Sequence, residues 1–346
     1  MKKQWLLSMV LILVLAGLLS ACGSNNEGSA GSDGEAAKPA TVKIGLLKNV
    51  THAPAFIAIK NGYFQKAFGD DVKIEVQAFD NGSDFSTAMA TGQIDIGYVG
   101  PGPVTNQYVR SKNITIVSGA NNGGAVLVTR KGANIAGVKG LAGKTAAIPT
   151  TGSTNEISLR LLLQQNGLSV TKDVSGVQLI TMAPADTLVA MKQNQVDAAL
   201  LPEPWGTQIV EQGIGDILVD WDKIPPNDGN YPLTILVANN DFLKKYRGTV
   251  KEAIQANIEA IDYIKSNPDD AYSLVSDELK ELSGKGLELN LIKAALQHLI
   301  LTTDIDLDVL EQMAQVAVDA GYIKDVEGKP DLSGLLDLSI LEEVKS

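Results

Sequence analysis

The sequence contains AMATGQIDIG at residues 88–97 and AMKQNQVDAA at residues 190–199, two stretches that align at a constant offset of 102 residues. Each is typical of a helix end, a Gly or Asn that stops the helix, and a buried strand opened by an aspartate. Proline-containing segments follow both stretches, GPGP at 100–103 and PEPW at 202–205, and each predicts the start of another helix. Two such α/β units, one in each half of the chain, predict two lobes of similar plan.

Strands and helices alternate on both sides of these stretches. Apolar residues at every second position predict a strand at Val42, Ile44 and Leu46, and a helix is predicted over 53–60, before Gly62. Further strands are predicted at 72–78, 95–99, 114–117, 125–129, 144–148, 177–180 and 196–200, and further helices at 83–90, from 101, and at 153–165, 185–193 and 203–211. This alternation indicates an α/β fold with mostly parallel sheets.

After Asp241 the pattern predicts helices alone. Thr249-Val250-Lys251-Glu252 fits a capping box, and Asn267-Pro268 fits a cap followed by a helix start. Apolar faces predict two more helices, near residues 289–300 and 310–317. We expect these C-terminal helices to pack on the first lobe.

Two apolar strands are candidates for the connections between the lobes. The strand at 125–129 is expected to leave the first lobe, and the strand at 233–237 to return to it. The first lobe is therefore predicted to comprise 41–129 and 232–346, and the second lobe 130–231. Because ligands of open α/β sheets bind beyond the carboxyl ends of the strands, we expect a ligand cleft between the lobes.

The N-terminus predicts export and lipid anchoring. A basic start, an apolar run and small residues before Cys22 fit a signal peptide over 1–21, and the run is short for a membrane span. Cys22 is the only cysteine, so no internal disulfide can form, and Leu19-Ser20-Ala21-Cys22 resembles a bacterial lipobox. Residues 22–40 lack large apolar side chains and are expected to form a flexible linker. These features predict a lipid anchor on the extracytoplasmic face of the cell membrane.

The net charge of the chain indicates which partners it disfavours. The net charge is −11, and it becomes −13 once Lys2 and Lys3 leave with the signal peptide. Such an acidic body argues against binding nucleic acid or an anionic membrane surface. It does not exclude an anionic ligand, because local dipoles can hold an anion inside a closed pocket.

The motifs resemble those of one transport family. The chain is similar to the nitrate, sulfonate, taurine and bicarbonate group of ABC substrate-binding proteins, and within it most similar to the aliphatic-sulfonate binders. The residues that carry this resemblance are THAP at 51–54, GQIDIGYVGPGP at 92–103, GGAVLV at 123–128, GST at 152–154 and PEPW at 202–205. The resemblance implies a two-lobed type II periplasmic-binding-protein fold and a monomer that delivers a small solute to an ABC permease with its ATPase. Taurine, nitrate, bicarbonate or a pyrimidine as ligand, and a sensor without transport, stay open as alternatives.

The predicted binding residues cluster at helix starts, where free backbone N–H groups favour an anion. Trp205 is expected to form an apolar wall, although core packing would also explain it. Glu203 either points away from an anionic ligand or meets an amine or hydroxyl group. Ser153 could be a cap alone, and His52 a structural hydrogen-bonding group. The candidate ligand-binding residues are Thr51, His52, Asn81, Ser83, Gly100, Pro101, Gly102, Gly124, Thr151, Ser153, Thr154, Glu203 and Trp205.

Motifs of enzymatic catalysis are missing from the sequence. It contains no HExxH, CxxC or P-loop motif, and no GxSxG motif with a suitably placed histidine. A family of similar fold that makes a thiamin pyrimidine uses a cysteine-rich motif, which this chain lacks. His298 lies on a predicted amphipathic helix and is expected to be structural. We therefore predict a protein that is not an enzyme and has no metal or cofactor.

Overall fold

A computed structural model describes residues 38–324 and 328–346. Its strands are β1 (Thr41–Leu47), β2 (Lys73–Phe79), β3 (Ile96–Val99), β4 (Ile114–Gly123), β5 (Ala125–Arg130), β6 (Thr145–Ile148), β7 (Gln178–Thr181), β8 (Ala198–Pro202), β9 (Gly215–Val219), β10 (Pro232–Asn239) and β11 (Leu299–Leu301). Its α-helices are α1 (Ala53–Lys60), α2 (Tyr63–Phe68), α3 (Gly82–Ala90), α4 (Pro101–Ser111), α5 (Thr154–Gln165), α6 (Pro184–Lys192), α7 (Trp205–Glu211), α8 (Asn240–Lys245), α9 (Arg247–Ser266), α10 (Pro268–Ser283), α11 (Leu289–Leu296), α12 (Leu307–Asp319) and α13 (Ser339–Lys345).

The first lobe is built on a six-stranded sheet with the order β11-β4-β10-β3-β1-β2. β1 runs parallel to β2 and β3, whereas β10 is antiparallel to β3 and β4. Ile44 of β1 is fully buried in one core with Phe56 of α1 and Ile254 of α9. Phe85 of α3 and Val237 of β10 belong to a second core of this lobe. The alternating apolar residues therefore place helices on both faces of the sheet.

The second lobe repeats the central part of this plan in a five-stranded sheet with the order β7-β6-β8-β5-β9. β6 is parallel to β7 and β8, as β1 is to β2 and β3. The registers are also equivalent, because Ile44 pairs with Ile96 and Ala146 pairs with Ala198. Each member of one pair lies 102 residues from its counterpart in the other, so the sequence repeat is a structural repeat.

The strand Ala125–Arg130 was predicted to belong to the first lobe, but it lies in the second sheet. β5 pairs with β8 and β9, so a lobe boundary at residue 129 would cut through this sheet. The chain passes between the sheets at Gly123 and Gly124, whose φ angles of 68° and 85° lie in the left-handed region. A strand of five apolar residues fits either sheet, so its pattern alone could not assign it.

The C-terminal helices do not all pack on the first lobe, as was expected. α9, α10 and α11 do contribute to the core of the first sheet. α12 instead lies between the lobes: its Leu310 packs in a first-lobe core, while its Met313 packs in the second-lobe core with Ile157 of α5. α12, which follows β11 in the chain, thus contributes to the cores of both lobes.

The predicted caps of two helices are also absent. Thr249 is the third residue of α9 and does not cap it, and the side chain of Glu252 pairs with Lys38 at 2.7 Å. Asn267 precedes Pro268 at the start of α10 as expected, but its side chain makes no cap hydrogen bond. α9 begins at Arg247, two residues before Thr249, and the Val250 N–H already donates to Tyr246 O.

The predicted signal peptide, Cys22 and nearly all of the predicted linker lie outside the described residues. Lys38 and Pro39 were assigned to the linker, but Pro39 is buried and the Lys38 ammonium donates to Phe68 O at 2.9 Å. These residues therefore belong to the folded body. Within residues 38–324 and 328–346, no helix is long and apolar enough to cross a membrane.

Candidate binding cleft between the lobes

An inner cavity of about 60 Å³ lies between the two lobes. Its lining comes from both sides and follows the repeat. Five pairs of lining residues stand 102 positions apart: Leu47 and Pro149, Thr51 and Ser153, His52 and Thr154, Gly82 and Pro184, and Gly100 and Pro202. Equivalent strand ends and helix starts of the two lobes therefore face each other, as expected for ligand sites in open α/β sheets.

An outer cavity of about 520 Å³ adjoins the inner one, and both are lined by Asn49, Asp80 and Pro184. Trp205 lines the outer cavity as a half-buried side chain that also packs against the second-lobe core. Apolar contacts come from both lobes, through Leu188 and Leu287. Three lysines from both lobes also line this cavity, Lys48, Lys192 and Lys285.

His52 is buried in the wall of the inner cavity as a neutral side chain. Burial lowers the pKa of His52 to about 3. Its Nδ1 accepts the Leu47 N–H at 3.2 Å, so the ring proton lies on Nε2. No acceptor for Nε2–H is found among the described residues. His52 therefore offers one hydrogen-bond donor to a molecule in the inner cavity.

Thr51 and Asn81 also line the inner cavity, but their side chains serve local structure. The Thr51 hydroxyl donates to Asn49 Oδ1 at 2.6 Å and accepts from Thr234 at 3.2 Å. Asn81 caps α3 by accepting the Asp84 N–H at 3.0 Å. Ser83, in contrast, is exposed and lines neither cavity, and the helix starts one residue earlier than predicted, at Gly82.

The first three residues of α4 offer no free N–H group to a ligand. Pro101 and Pro103 have no N–H, and the Gly102 N–H donates to Thr154 Oγ1 of the second lobe at 3.1 Å. A Cβ atom on Gly102 would lie 2.8 Å from Gly152 O and from Thr154 N. Gly102 therefore lets the second lobe approach, whereas a close approach of the ligand had been predicted.

The start of α5 keeps several donors free. Ser153 accepts the Glu156 N–H at 3.2 Å, and the Glu156 carboxylate accepts the Gly152 N–H at 2.7 Å, so the predicted capping interaction is present. The N–H groups of Thr154 and Asn155 have no acceptor among the described residues. Asn155 was not among the predicted residues, but it lines the inner cavity, and its side-chain Nδ2 is buried without a partner.

Glu203 points away from both cavities. One carboxylate oxygen accepts the Thr207 N–H at 3.1 Å, and the other lies 2.7 Å from Nδ1 of His298 in the first lobe. Burial alone would lower the pKa of His298. The hydrogen bond to Glu203, together with the charges of Glu203, Asp220 and Asp222, outweighs burial and raises that pKa above its ordinary value. Glu203 therefore joins the lobes, and its sequence context gave no sign of this partner 95 residues away.

Three more predicted residues lie outside the cavity walls. Thr151 is exposed, Pro101 is buried in the start of α4, and Gly124 belongs to the connection between the sheets. Six of the thirteen candidates line the inner cavity, and Trp205 lines the outer one. In the part of the chain that the structure describes, no cluster of three or more His, Cys, Asp or Glu residues could hold a metal ion.

Sequence comparisons relate the chain to a family of binding proteins. The model of the NMT1-like family matches residues 35–276. The taurine-binding periplasmic protein of Escherichia coli (strain K12) is 25% identical over 231 residues, which are 66% of this chain and 68% of that protein. A binding protein of Brucella abortus is 26% identical over 226 residues, 65% of this chain and 66% of that protein. The match to the Brucella protein thus spans slightly less than two thirds of its length.

Solved structures show the same fold. The alkanesulfonate-binding protein SsuA from Xanthomonas axonopodis pv. citri, bound to MOPS, has a TM-score of 0.73 and 18% identity, and covers 87% of this chain and 99% of its own. The periplasmic nitrate-binding protein NrtA from Synechocystis has a TM-score of 0.73 and 16% identity, with 90% and 89% covered. These comparisons confirm the predicted resemblance and the two-lobed periplasmic-binding-protein fold.

Proposed function

Because the chain belongs to the NMT1-like family and has the two-lobed fold, we propose that it is an extracytoplasmic solute-binding lipoprotein of an ABC importer. The observation that carries this proposal is the cavity between the lobes, lined by equivalent residues of both repeats. A solute held there contacts both lobes at once, so its binding stabilises the closed arrangement. The importer would supply a permease and an ATPase, and the binding protein acts as a monomer.

The proposed solute is a small organic anion, with an aliphatic sulfonate as the first choice. Free N–H groups at the start of α5 favour a negatively charged group. Trp205 and Leu188 provide an apolar surface for an organic body, and lysines line the outer cavity. The named ligands of the relatives, taurine for one and alkanesulfonate for another, support the same class.

A thermal-shift screen tests this assignment. The full chain without its first 21 residues would be heated with 1-butanesulfonate, taurine, nitrate, bicarbonate and a pyrimidine. A ligand present at 100 times its Kd stabilises the folded state by about 2.7 kcal/mol, which raises Tm. We expect the largest rise with 1-butanesulfonate. A larger rise with the pyrimidine would replace the ligand class, and no rise with any compound would contradict solute binding of this kind.

The lipid anchor is a separate proposal that rests on Cys22 as the only cysteine. Replacing Cys22 with Ser removes the sulfur that a lipid thioether requires. We expect the Cys22→Ser protein to leave the membrane fraction of the producing cells, because several acyl chains, each CH₂ contributing about 0.8 kcal/mol, are lost. An unchanged membrane fraction in immunoblots would contradict the anchor and leave solute binding unaffected.

A further inference from the structure

The lining of the outer cavity changes in character with distance from the inner cavity. Pro184, at the start of α6, lines both cavities, and Leu188 and Lys192 follow it at four-residue spacing on the same face of the helix. At a rise of about 1.5 Å per residue, Lys192 lies about 12 Å further along the helix axis than Pro184. This wall is therefore apolar beside the inner cavity and positively charged at its far end.

The neighbouring helix of the second lobe has the same gradient. Trp205 at the start of α7, Gln208 within it and Gln212 just after it all line the outer cavity. The Lys192 ammonium donates to Gln212 Oε1 at 2.9 Å, so the far ends of α6 and α7 lie together. An ammonium group has three donors, and this bond occupies one of them. Lys192 therefore keeps donors for a molecule in the cavity.

The first lobe supplies a second lysine without a counter-charge. Lys285 lies in the connection between α10 and α11 and lines the outer cavity from the first lobe. Neither Lys192 nor Lys285 has a carboxylate partner among the described residues. Of the lining residues that the structure describes, Asp80 is the only acidic one, and it pairs with Lys48 at 2.5 Å. Each lobe therefore adds one unbalanced positive charge to this cavity, in a chain whose net charge is −11.

These two charges favour an anion in the outer cavity. Like charges that line one cavity repel each other, and an anion between them replaces this repulsion with attraction to both lobes. Lys192 and Lys285 are exposed, so water screens each ion pair and its contribution is modest. The two cavities share walls at Asn49, Asp80 and Pro184, so one molecule can extend from the inner cavity to these lysines.

We propose that the solute carries a second anionic group at the far end of its organic body, and that Lys192 and Lys285 bind this group. The substrate class is then an aliphatic sulfonate with a terminal carboxylate. A sulfonate that ends in a methyl group gains nothing from the lysines, and one that ends in an amine is repelled by them. This inference rests on the proposed function, and it adds the chemistry of the end of the solute that lies away from the sulfonate.

Calorimetry with the mature chain, which starts at Cys22, tests the proposal with three matched probes. The probes are 1-hexanesulfonate, 6-sulfohexanoate and 6-aminohexane-1-sulfonate, which differ in ending with a methyl, a carboxylate or an ammonium group. We expect 6-sulfohexanoate to bind about 5-fold more tightly than 1-hexanesulfonate, because two exposed ion pairs are added, and the amine to bind most weakly. The advantage of the carboxylate should disappear at about 1 M salt, where the screening length is about 3 Å.

The double variant Lys192→Gln, Lys285→Gln removes both charges and keeps polar side chains. We expect its affinities for 6-sulfohexanoate and 1-hexanesulfonate to become about equal, because the ion pairs are lost. Lys265→Gln is the matched control. Lys265 is also an exposed lysine in the last turn of a helix, α9, and it lines neither cavity, so the advantage of the carboxylate should remain as in the parent.

The outcomes separate this proposal from the proposed function. If the parent binds 6-sulfohexanoate no more tightly than 1-hexanesulfonate, the second anionic group is overturned, while binding of both would still support sulfonate capture. A carboxylate advantage that survives in the double variant would overturn the role of the two lysines. If neither sulfonate binds, the proposed sulfonate function fails, and this inference fails with it. Circular dichroism checks that each variant folds, and the two single variants decide the matter should the double variant unfold.

Discussion

His52 in the first lobe and Thr154 in the second lobe stand at equivalent positions of the repeat and line the same cavity from opposite sides. The two helix starts differ in what they leave free. At α1, the Thr51 N–H donates to Asn49, the Ala53 N–H donates to Val50, and Pro54 has no N–H. At α5, the N–H groups of Thr154 and Asn155 have no acceptor among the described residues.

This difference shows that the position of a helix start and the hydrogen-bonding groups it offers have separate causes. The repeat places a helix start of each lobe at the cavity, because the central strands of both sheets have the same order and register. The local residues then decide what each helix start offers, which is a neutral imidazole on one side and backbone N–H groups on the other. Binding through the cavity therefore needs both lobes, and changes that separate the lobes or remove one contact should have graded effects.

A substitution that separates the lobes should have the largest effect on solute affinity. In Gly102→Ala, the new Cβ would lie 2.8 Å from backbone atoms of Gly152 and Thr154, while the helix start of α4 tolerates alanine. We expect solute affinity to fall by about 100-fold, because the lobes must move apart to relieve the overlap. Calorimetry measures the affinity, and small-angle scattering should show a larger radius of gyration.

A matched glycine substitution controls for general effects of alanine. Gly140 lies in the second lobe, and the three atoms nearest to a Cβ there all belong to Ile135, the closest at 3.3 Å. Gly140→Ala should bind solute like the parent. If Gly102→Ala also binds like the parent, the contact between the lobes at α4 is irrelevant to capture.

Removing the apolar wall should have the second largest effect. Trp205→Ala takes away the largest aromatic surface of the outer cavity and leaves the donors of the inner cavity in place. We expect affinity for 1-butanesulfonate to fall by about 10-fold, with the fold retained because Trp205 is only half-buried. Unchanged affinity in calorimetry would remove Trp205 from the binding site.

The Glu203–His298 pair predicts a pH dependence of the contact between lobes. The pKa of His298 is raised, so the stability that this pair provides is fully present below the ordinary value of 6.5 and is lost as pH rises through the raised pKa. The groups that face His298 are Glu203, Asp220 and Asp222, and Trp221 stacks on its ring. We expect Tm to fall as pH rises through this range, by an amount equivalent to about 1 kcal/mol.

The control for this pH effect is His298→Gln, which keeps a donor near Glu203 but does not titrate. Its Tm should change less over the same range. Parallel pH profiles of the parent and His298→Gln would show that another group causes the dependence.

The smallest expected effect is a difference in stability between variants of two aspartates at equivalent positions of the repeat. Asp95 accepts the Lys43 N–H at 2.8 Å, and Asp197 accepts the Thr145 N–H at 3.1 Å and pairs with Arg130 at 2.7 Å. Burial raises the pKa of Asp95. At Asp197 burial is outweighed by the bonds from Thr145 and Arg130, so its pKa is lowered. The stability from Asp197 is therefore present above its ordinary pKa of 3.8 and is lost as pH falls through the lowered pKa.

At pH 7 we expect Asp197→Asn to lower the free energy of unfolding by about 1 kcal/mol more than Asp95→Asn does. Urea unfolding of both variants measures the difference. Equal losses would mean that Arg130 adds nothing to the second lobe's copy of this contact.

The fold could be predicted largely from the repeat, because Asp95 and Asp197 mark equivalent strands in a chain of alternating elements. The sheet to which β5 belongs could not be predicted, since an apolar strand fits either sheet. The capping box at Thr249 was misread because the same residue types occur inside helices, where Glu252 instead pairs with Lys38.

The candidate site was predicted where helix starts mark the strand ends, as at His52 and Ser153. Contacts between residues that are distant in the chain were not predicted. The Gly102 N–H donates to Thr154 Oγ1, and His298 pairs with Glu203. Neither contact follows from local spacing. Asn155 was missed because an asparagine in the first turn of a helix is ordinary in sequence, and only its burial on the cavity wall sets it apart.

The most direct test of solute capture between the lobes is a crystal structure of the mature chain with 1-butanesulfonate. We predict sulfonate oxygens within hydrogen-bonding distance of the Asn155 backbone N–H and of His52 Nε2, and the alkyl chain against Trp205. A sulfonate bound outside the space between the lobes, with the inner cavity filled only by water, would contradict the account.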